Sequence, residues 1–450
     1  MPKLRKMYVV LYLSSAALHV LWVTLSATFG LHEFQLYDSA HYLTLSENLS
    51  THGVFSRALQ APFYPDLART PGYPVFLLAL QSIGLPILAV AYLQSLLAAC
   101  VPVLIFDVLQ RRLHSTRAAL LAASLVMLDF SVLLFAPYIL TDGLFYVLLA
   151  TLLWLMLRYT EPEKQRFANT VLLPALVTGC LVLVRPIAFL LPFLLIFWWV
   201  FHRKSLLSIA LGALLVFALP GGWVARNAIT FGTPSLSSMG PNNLLMFNAA
   251  GVQAYAEQRD FEMVQREWMA LARSNFDWES DRLATRDYMR WCRREALQVF
   301  KTYPGATLRM LVENGVSYFL KPPRGYFDLN FDLKSSYTPV AELGDTRSVT
   351  DRFAALQRET STIGLGLTAL QFLLSLLQFI LAVVGLVHLW KVNRSLFFLL
   401  LASLLYFWFF SLFSQTDARF RLPALPLLVV ASGFGIEKLV NFRLLKTKAS

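Results

Sequence analysis

The sequence predicts an all-α polytopic membrane protein, a bundle of about ten transmembrane helices (9–12) with a helical cap outside the membrane. Three observations predict it. Of 450 residues, 57% are hydrophobic and 15% charged, against roughly a quarter charged in a soluble domain. The apolar residues fall in blocks such as 368–389 and 395–413, each near the roughly 20 residues that cross a bilayer as a helix. The surplus of charge, +12 overall, is confined to alternate turns between these blocks. Soluble, disordered, collagen-like and disulfide-stapled classes are excluded. A membrane β-barrel is disfavoured, because its strands alternate apolar and polar residues over about ten positions.

The ten helices are read at 7–29, 86–109, 118–136, 142–158, 170–184, 187–201, 205–222, 363–389, 395–413 and 423–437. With the N-terminus in the cytoplasm, the cytoplasmic segments hold 17 basic residues, among them Lys3, Arg111, Arg158, Arg203, Lys391 and Arg443, against four acids. The other side holds 22 basic and 23 acidic residues. That is the positive-inside pattern, with both termini cytoplasmic, and it removes the case for nucleic acid as the partner of a basic chain. Lys3, Arg5 and Lys6 before the first block resemble a signal peptide, but the apolar stretch is too long for a signal core and no small-x-small cleavage site follows it. It is read as a retained helix.

Three regions follow: a membrane module 1–222 containing a first loop 30–85, an extracytoplasmic cap 223–362, and a second module 363–450 with a basic tail. No internal repeat is visible. In the first loop, Tyr42, Leu45 and Leu49 recur at helical spacing over 38–49, an amphipathic helix suited to the membrane surface. A run punctuated by Gly53, Pro62, Pro65 and Pro71 follows, then a second short in-plane helix over 75–83. In the cap, helices are expected over 253–275, 280–302 and 304–320, the last with Leu308, Leu311, Val312, Val316 and Leu320 packed on the membrane portion; 321–350 is expected as loop. Cys100, Cys180 and Cys292 form no CxxC pair and no disulfide framework.

Polar residues at the outer face are few. They are Asp38, His41, Tyr42 and Arg69 in the first loop, Asp129 and Asp142 about the third turn, Arg185, Arg226 with Asn227, and Asp417, Arg419 and Arg421 before the last helix. Every one of these turns is on the same side, so they can converge on one cavity. Arginines would hold a phosphate by paired hydrogen bonds, and a carboxylate would take a proton from an attacking hydroxyl. Structural readings stand beside these. Asp38 and Thr141-Asp142 are placed to cap helices, Arg419 and Arg421 to anchor at the interface, and Asp129 to hold a structural partner. Arg185 beside Pro186 is a costlier residue than a short apolar turn needs. His32, Asp38 and His41 match no metal-ligand spacing.

Five stretches resemble one family. They are Tyr37-Asp38-Ser39-Ala40-His41-Tyr42 with Leu49 and Gly53-Val54-Phe55; Arg69-Thr70-Pro71-Gly72-Tyr73-Pro74; Leu140-Thr141-Asp142-Gly143; Arg226-Asn227 with Phe231-Gly232; and Arg419-Phe420-Arg421-Leu422-Pro423. In order, spacing and side they resemble the GT-C glycosyltransferases that use polyprenyl-phosphate sugars, the protein mannosyltransferase and aminoarabinose transferase superfamily. The resemblance implies a GT-C-like bundle and transfer of a monosaccharide from a polyprenyl-phosphate donor, with inversion, to an envelope glycan, lipid or protein acceptor. It implies Asp38 as the base, with Asp142 on the sugar or acceptor. Arg69 would hold the leaving phosphate, with Arg185, Arg226 and Arg419 as further candidates, and His41, Tyr42, Tyr73 and Arg421 would line the substrate. The chain departs from the family at Ser39 and Ala68, where many members have acids, so a divalent metal is not supported and no other cofactor is implied. The absence of a targeting or retention signal points to a bacterial inner membrane. Two other classes remain: a transporter or flippase of lipid-linked glycans, and a non-catalytic scaffold docking partners through the cap.

Overall fold

A computed structural model describes residues 2–30, 34–158, 166–276, 284–323, 325–333, 360–413 and 418–447. Readings placed on His32, on Asp417 and on 334–350 lie outside them. Among the described residues every regular element is helical and no strand occurs. The first half contains α1 (Pro2–Phe29), α2 (Tyr37–His52), α3 (Gly72–Gln81), α4 (Ile87–Ala98), α5 (Val101–Arg112), α6 (Thr116–Met127), α7 (Phe130–Phe135), α8 (Thr141–Arg158), α9 (Leu173–Val184), α10 (Leu191–Phe201) and α11 (Leu206–Phe231). The cap contains α12 (Met239–Asn243), α13 (Ala250–Glu257), α14 (Phe261–Asn275), α15 (Ala284–Thr302), α16 (Pro304–Leu320) and α17 (Tyr326–Asn330). The chain then returns through α18 (Thr362–Val392), α19 (Arg394–Leu412) and α20 (Leu425–Thr447), the last entered by a 3-10 helix, Ala418–Ala424.

Seven helices are long and apolar enough to cross a membrane: Leu4–Phe29, Ile87–Arg112, Thr141–Arg158, Leu206–Phe231, Thr362–Val392, Arg394–Leu412 and Ala418–Val440. The other three expected spans are shorter. The segment read as 118–136 breaks at Asp129, whose carboxylate accepts the Ser131 amide at 2.9 Å and starts α7 instead of continuing α6. This is the usual competition of an Asp side chain with the helical backbone. Ala168–Val184 and Pro186–Phe201 are separated by Arg185 in extended conformation before Pro186, as the restriction on residues preceding proline dictates. These short helices still pack within the bundle, α6 on α5 and α20, α9 on α8 and α11. Conversely, α11 runs past 222 to Phe231 and stops at Gly232, whose φ is +63°.

The tightest seam is between α18 and α20. A Cβ added at Gly385 would fall on the Ala431 carbonyl oxygen, and one at Gly435 on that of Leu381. Small residues that let two backbones touch are the main source of helix association where no water is displaced. Gly385→Val should therefore cost more than the roughly 1–3 kcal/mol of ordinary overpacking. Gly366→Val in the same helix, where nothing lies within 4 Å of an added Cβ, should be tolerated. Survival of the folded peak in detergent after a heat step separates the two.

At one end of the bundle Asp107 clasps three helices. It accepts Tyr8 Oη at 2.7 Å, Trp154 Nε1 at 2.9 Å and Arg111 Nε at 3.1 Å, and pairs with Arg158. The His114 amide donates to Glu437 at 2.6 Å nearby. The start of α1, the ends of α5 and α8 and the late part of α20 thus share an end, the one read as basic. At the opposite end an aromatic cluster of Trp22, Tyr42, Tyr73, Phe135, Tyr138 and Phe327 supports the first loop.

Three local expectations are corrected. Tyr42 and Leu45 of α2 are buried at 6% and 0% exposure: α3 covers that face, so it is used inside the protein and not on the membrane surface. The helix expected over 253–275 is split at Gln258 (φ +54°), and Asp260 caps the second piece by accepting Met263 N at 3.0 Å. In α16 the residues that meet the bundle are Asn314, Gly315 and Tyr318, while Leu308, Val312 and Val316 are exposed.

Candidate active site

The first loop is brought to α9 by a glycine. A Cβ at Gly72 would lie 2.6 Å from the Leu183 carbonyl carbon, and Thr70 Oγ1 donates to the Val184 carbonyl at 3.3 Å. The loop is fixed on its other side as well. Ser237 Oγ donates to the Ala68 carbonyl at 2.5 Å, and the Asp66 carboxylate accepts Arg57 Nε at 2.5 Å and the Arg69 amide at 3.0 Å. Arg226 Nη1 holds the Asp66 carbonyl at 2.9 Å, its guanidinium lying over Trp223 and Phe231. Arg226 thus braces the loop backbone and is not placed at Asp38.

The braced loop holds Arg69 over Tyr42, its guanidinium 5.2 Å from the ring centroid. Arg69 Nη2 donates to Asp38 Oδ1 at 2.6 Å and lies 3.3 Å from His41 Nδ1, and Nη1 reaches Tyr42 Oη at 3.5 Å. The other Asp38 oxygen faces Arg419 Nη1 at 3.5 Å. Asp142, at 2% exposure, pairs with Arg185, whose guanidinium lies between the rings of Phe145 and Phe420. Phe420 also carries Arg419 at 5.2 Å, so this ring joins the two ion pairs. Neither aspartate acts as a helix cap. Leu36 caps α2, its amide donating to Ser39 Oγ at 2.9 Å, and Asp142 is spent on Arg185.

The core of the site holds three guanidiniums, of Arg69, Arg185 and Arg419, against two carboxylates, Asp38 and Asp142. It carries an excess of one positive charge. Arg69 Nε is buried without a hydrogen-bond partner, and a buried donor left unpaired costs about 1–3 kcal/mol. Both features favour an incoming anion. Asp38 is still 26% exposed, so the site is reachable. Burial alone would raise the Asp38 carboxyl, but the Arg69 and Arg419 guanidiniums outweigh it and hold it below its ordinary value. Burial, with Arg57 and Arg69 adding to it, pushes His41 down, so the imidazole is neutral at pH 7.

Besides Arg226, two more expected site residues stand apart. Tyr73 is fully buried beneath Tyr42, the rings 5.1 Å apart, and donates to Gln94 Oε1 at 2.8 Å; it supports Tyr42 and does not line an opening. Arg421 is turned into the bundle against Asp129. Sequence reading missed Asp66, three residues before Arg69, and Phe420, the ring between the two pairs. Among the described residues no group of three His, Cys, Asp or Glu side chains is placed to hold a metal ion. Compared with known protein families and with curated proteins, the chain matches no family model and no curated protein.

Proposed function

We propose that the chain is an integral-membrane glycosyltransferase moving a monosaccharide from a polyprenyl-phosphate donor to an envelope glycan, lipid or protein acceptor. The observation that carries this reading is the convergence of Asp38, Arg69, Asp142, Arg185 and Arg419 from five separate stretches onto one end of an apolar bundle. In this reading the bundle has ten crossings in a bacterial inner membrane, with both termini cytoplasmic and the site extracytoplasmic. The basic turns support that orientation.

The charges balance through the reaction. The donor is a phosphodiester with one negative charge. The acceptor oxygen bonds to the anomeric carbon as the bond to the phosphate oxygen breaks, with inversion. The departing polyprenyl phosphate gains a charge, which Arg69, Arg419 and Arg185 are placed to meet. The hydroxyl proton passes to Asp38. As the phosphate draws Arg69 away, the force that depresses the Asp38 carboxyl relaxes, so the base strengthens when it is needed. Asp142 keeps Arg185 in place for the sugar or the phosphate.

Mass spectrometry of envelope glycans and polyprenyl-phosphate lipids from a deletion strain tests the reading. One sugar mass should vanish from a glycan, the matching lipid-phosphate sugar should build up, and the wild-type gene should reverse both. Unchanged glycans and lipids overturn it. A pH profile tests the electrostatics. With its carboxyl depressed, Asp38 is ionised throughout the neutral range, and kcat/KM falls only as pH drops through that low value. Arg419→Met removes one of the charges that depress it, so the acidic limb should move to higher pH. A limb that stays in place detaches Arg419 from Asp38.

A further inference from the structure

The helix α16 carries two faces that do not belong to an ordinary soluble cap. Its inner face is inserted between membrane spans. Trp408 Nε1 of α19 donates to the Gly315 carbonyl at 3.0 Å and Asn314 Nδ2 donates to the Leu412 carbonyl at 2.8 Å, while Phe319, at the deep end of the helix on the azimuth of the outer stripe, lies 5.2 Å from the ring of Phe379 in α18. Its outer face is a stripe of Leu308, Val312 and Val316, spaced by four and exposed at 64%, 57% and 60%. That stripe adjoins the seam with α19, whose own outward residues Leu405 and Phe409 are 48% and 51% exposed. Charge is kept to the far flank of α16. There Arg309 pairs with Glu313 at 2.8 Å and lies over Tyr255 of the cap at 3.8 Å.

The depth of this helix follows from its neighbours. Phe379 stands 13 residues before the basic end of α18 at Val392, about 20 Å along a helix rising 1.5 Å per residue. The hydrocarbon core is about 30 Å thick, which puts Phe379 and Phe319 beside it about 10 Å below the cap-side boundary. Val316 is about 5 Å higher and Val312 about 10 Å higher. Val316 then lies in hydrocarbon, Val312 at its edge, and Leu308 among headgroups.

We propose that α16 is a re-entrant element, sunk into the cap-side leaflet, whose stripe is covered by lipid: acyl chains on Val316 and the edge at Val312, continuous with those on Leu405 and Phe409, and headgroups at Leu308. Left in water at the rim of a membrane bundle, these side chains would forgo the stabilisation that removing apolar surface from water gives; in lipid they keep it. The opposite face of the same helix buries Tyr318 at 6% exposure. A single helix thus separates acyl chains from the interior of the bundle.

The test does not depend on the enzymatic reading. In a background with Cys100, Cys180 and Cys292 replaced by serine, spin labels are placed singly through Leu308→Cys, Val312→Cys and Val316→Cys in phosphatidylcholine–phosphatidylglycerol vesicles. Collision with oxygen should exceed collision with a water-soluble nickel chelate at 316, and the ratio should fall from 316 through 312 to 308. A ratio favouring nickel at 316 places the stripe in water and overturns the proposal. Exclusion of both colliders shows it covered by protein, whether a second copy or another part of this chain, and also overturns it. Should the cysteine-free background fail to fold, the unmodified protein in vesicles doped with a phosphatidylcholine bearing a diazirine in mid-chain gives the same answer. Illumination should put lipid adducts on the tryptic peptide that begins at Met310, and an unmodified peptide overturns the proposal.

Discussion

Asp38→Asn should abolish sugar transfer while the protein folds and inserts as before. The substitution keeps shape and size and Asp38 is 26% exposed, so it makes no cavity, and the amide oxygen can still accept from Arg69. What it removes is the proton acceptor. Loss of a positioned base costs about 10²–10⁴-fold in rate. Donor binding should move the other way. With one carboxylate gone, Arg69 and Arg419 lose the counter-charge they share and turn more of their positive field on the donor phosphate. The Asn variant should therefore hold the lipid-phosphate donor at least as tightly as wild type while kcat collapses. A residue that merely braces Arg69 would give the reverse, weaker donor binding with modest loss of kcat. In the deletion strain the variant should be produced at wild-type level, leave the glycan one sugar short, and let the donor accumulate. Full rescue by Asp38→Asn sinks the catalytic assignment and brings the transporter and scaffold readings forward.

That Asp38, Arg69, Asp142 and Arg185 gather at one face was legible because polar residues are scarce in this chain; which carboxylate pairs with which arginine was not. When few charges stand at one face of an apolar bundle, desolvation forces them on each other. The separations of 31 and 43 residues then matter little, since the turns share a side. Local geometry was not legible in the same way. Arg419 and Arg421 were read together as neighbours at the interface, yet they lie in a 3-10 helix. At about three residues per turn, positions two apart point to different sides. One arginine therefore reaches Asp38 and the other enters the core. Helix ends were hidden for a similar reason. Asp129 stops α6 through its side chain, and Arg226 lies on α11 because that helix outruns its apolar stretch.

Asp129→Ala should be among the most destabilising single substitutions outside the glycine seam. The carboxylate is fully buried. Oδ2 accepts Arg421 Nη2 at 2.9 Å and Gln378 Nε2 at 3.1 Å; Oδ1 accepts Gln371 Nε2 at 3.2 Å and the Ser131 amide. Arg421 in turn donates to Ser375 Oγ at 2.7 Å and to Gln378. Removing Asp129 leaves a guanidinium at 2% exposure with no counter-charge, a loss of about 3–5 kcal/mol for a broken buried pair. Asp129→Asn combined with Arg421→Gln removes both charges and keeps amide partners, so it should recover most of that stability. Thermal unfolding in detergent measures both. Activity should not recover with stability in the double variant. Arg421 fixes the short 3-10 helix that delivers Arg419 to Asp38 and Phe420 to Arg185, and a glutamine at 421 is too short to reach Asp129 and Ser375 together. If Asp129→Ala unfolds at the wild-type temperature, the pair is dispensable to the fold. If the double variant regains full turnover, the 418–424 segment holds its position without Arg421.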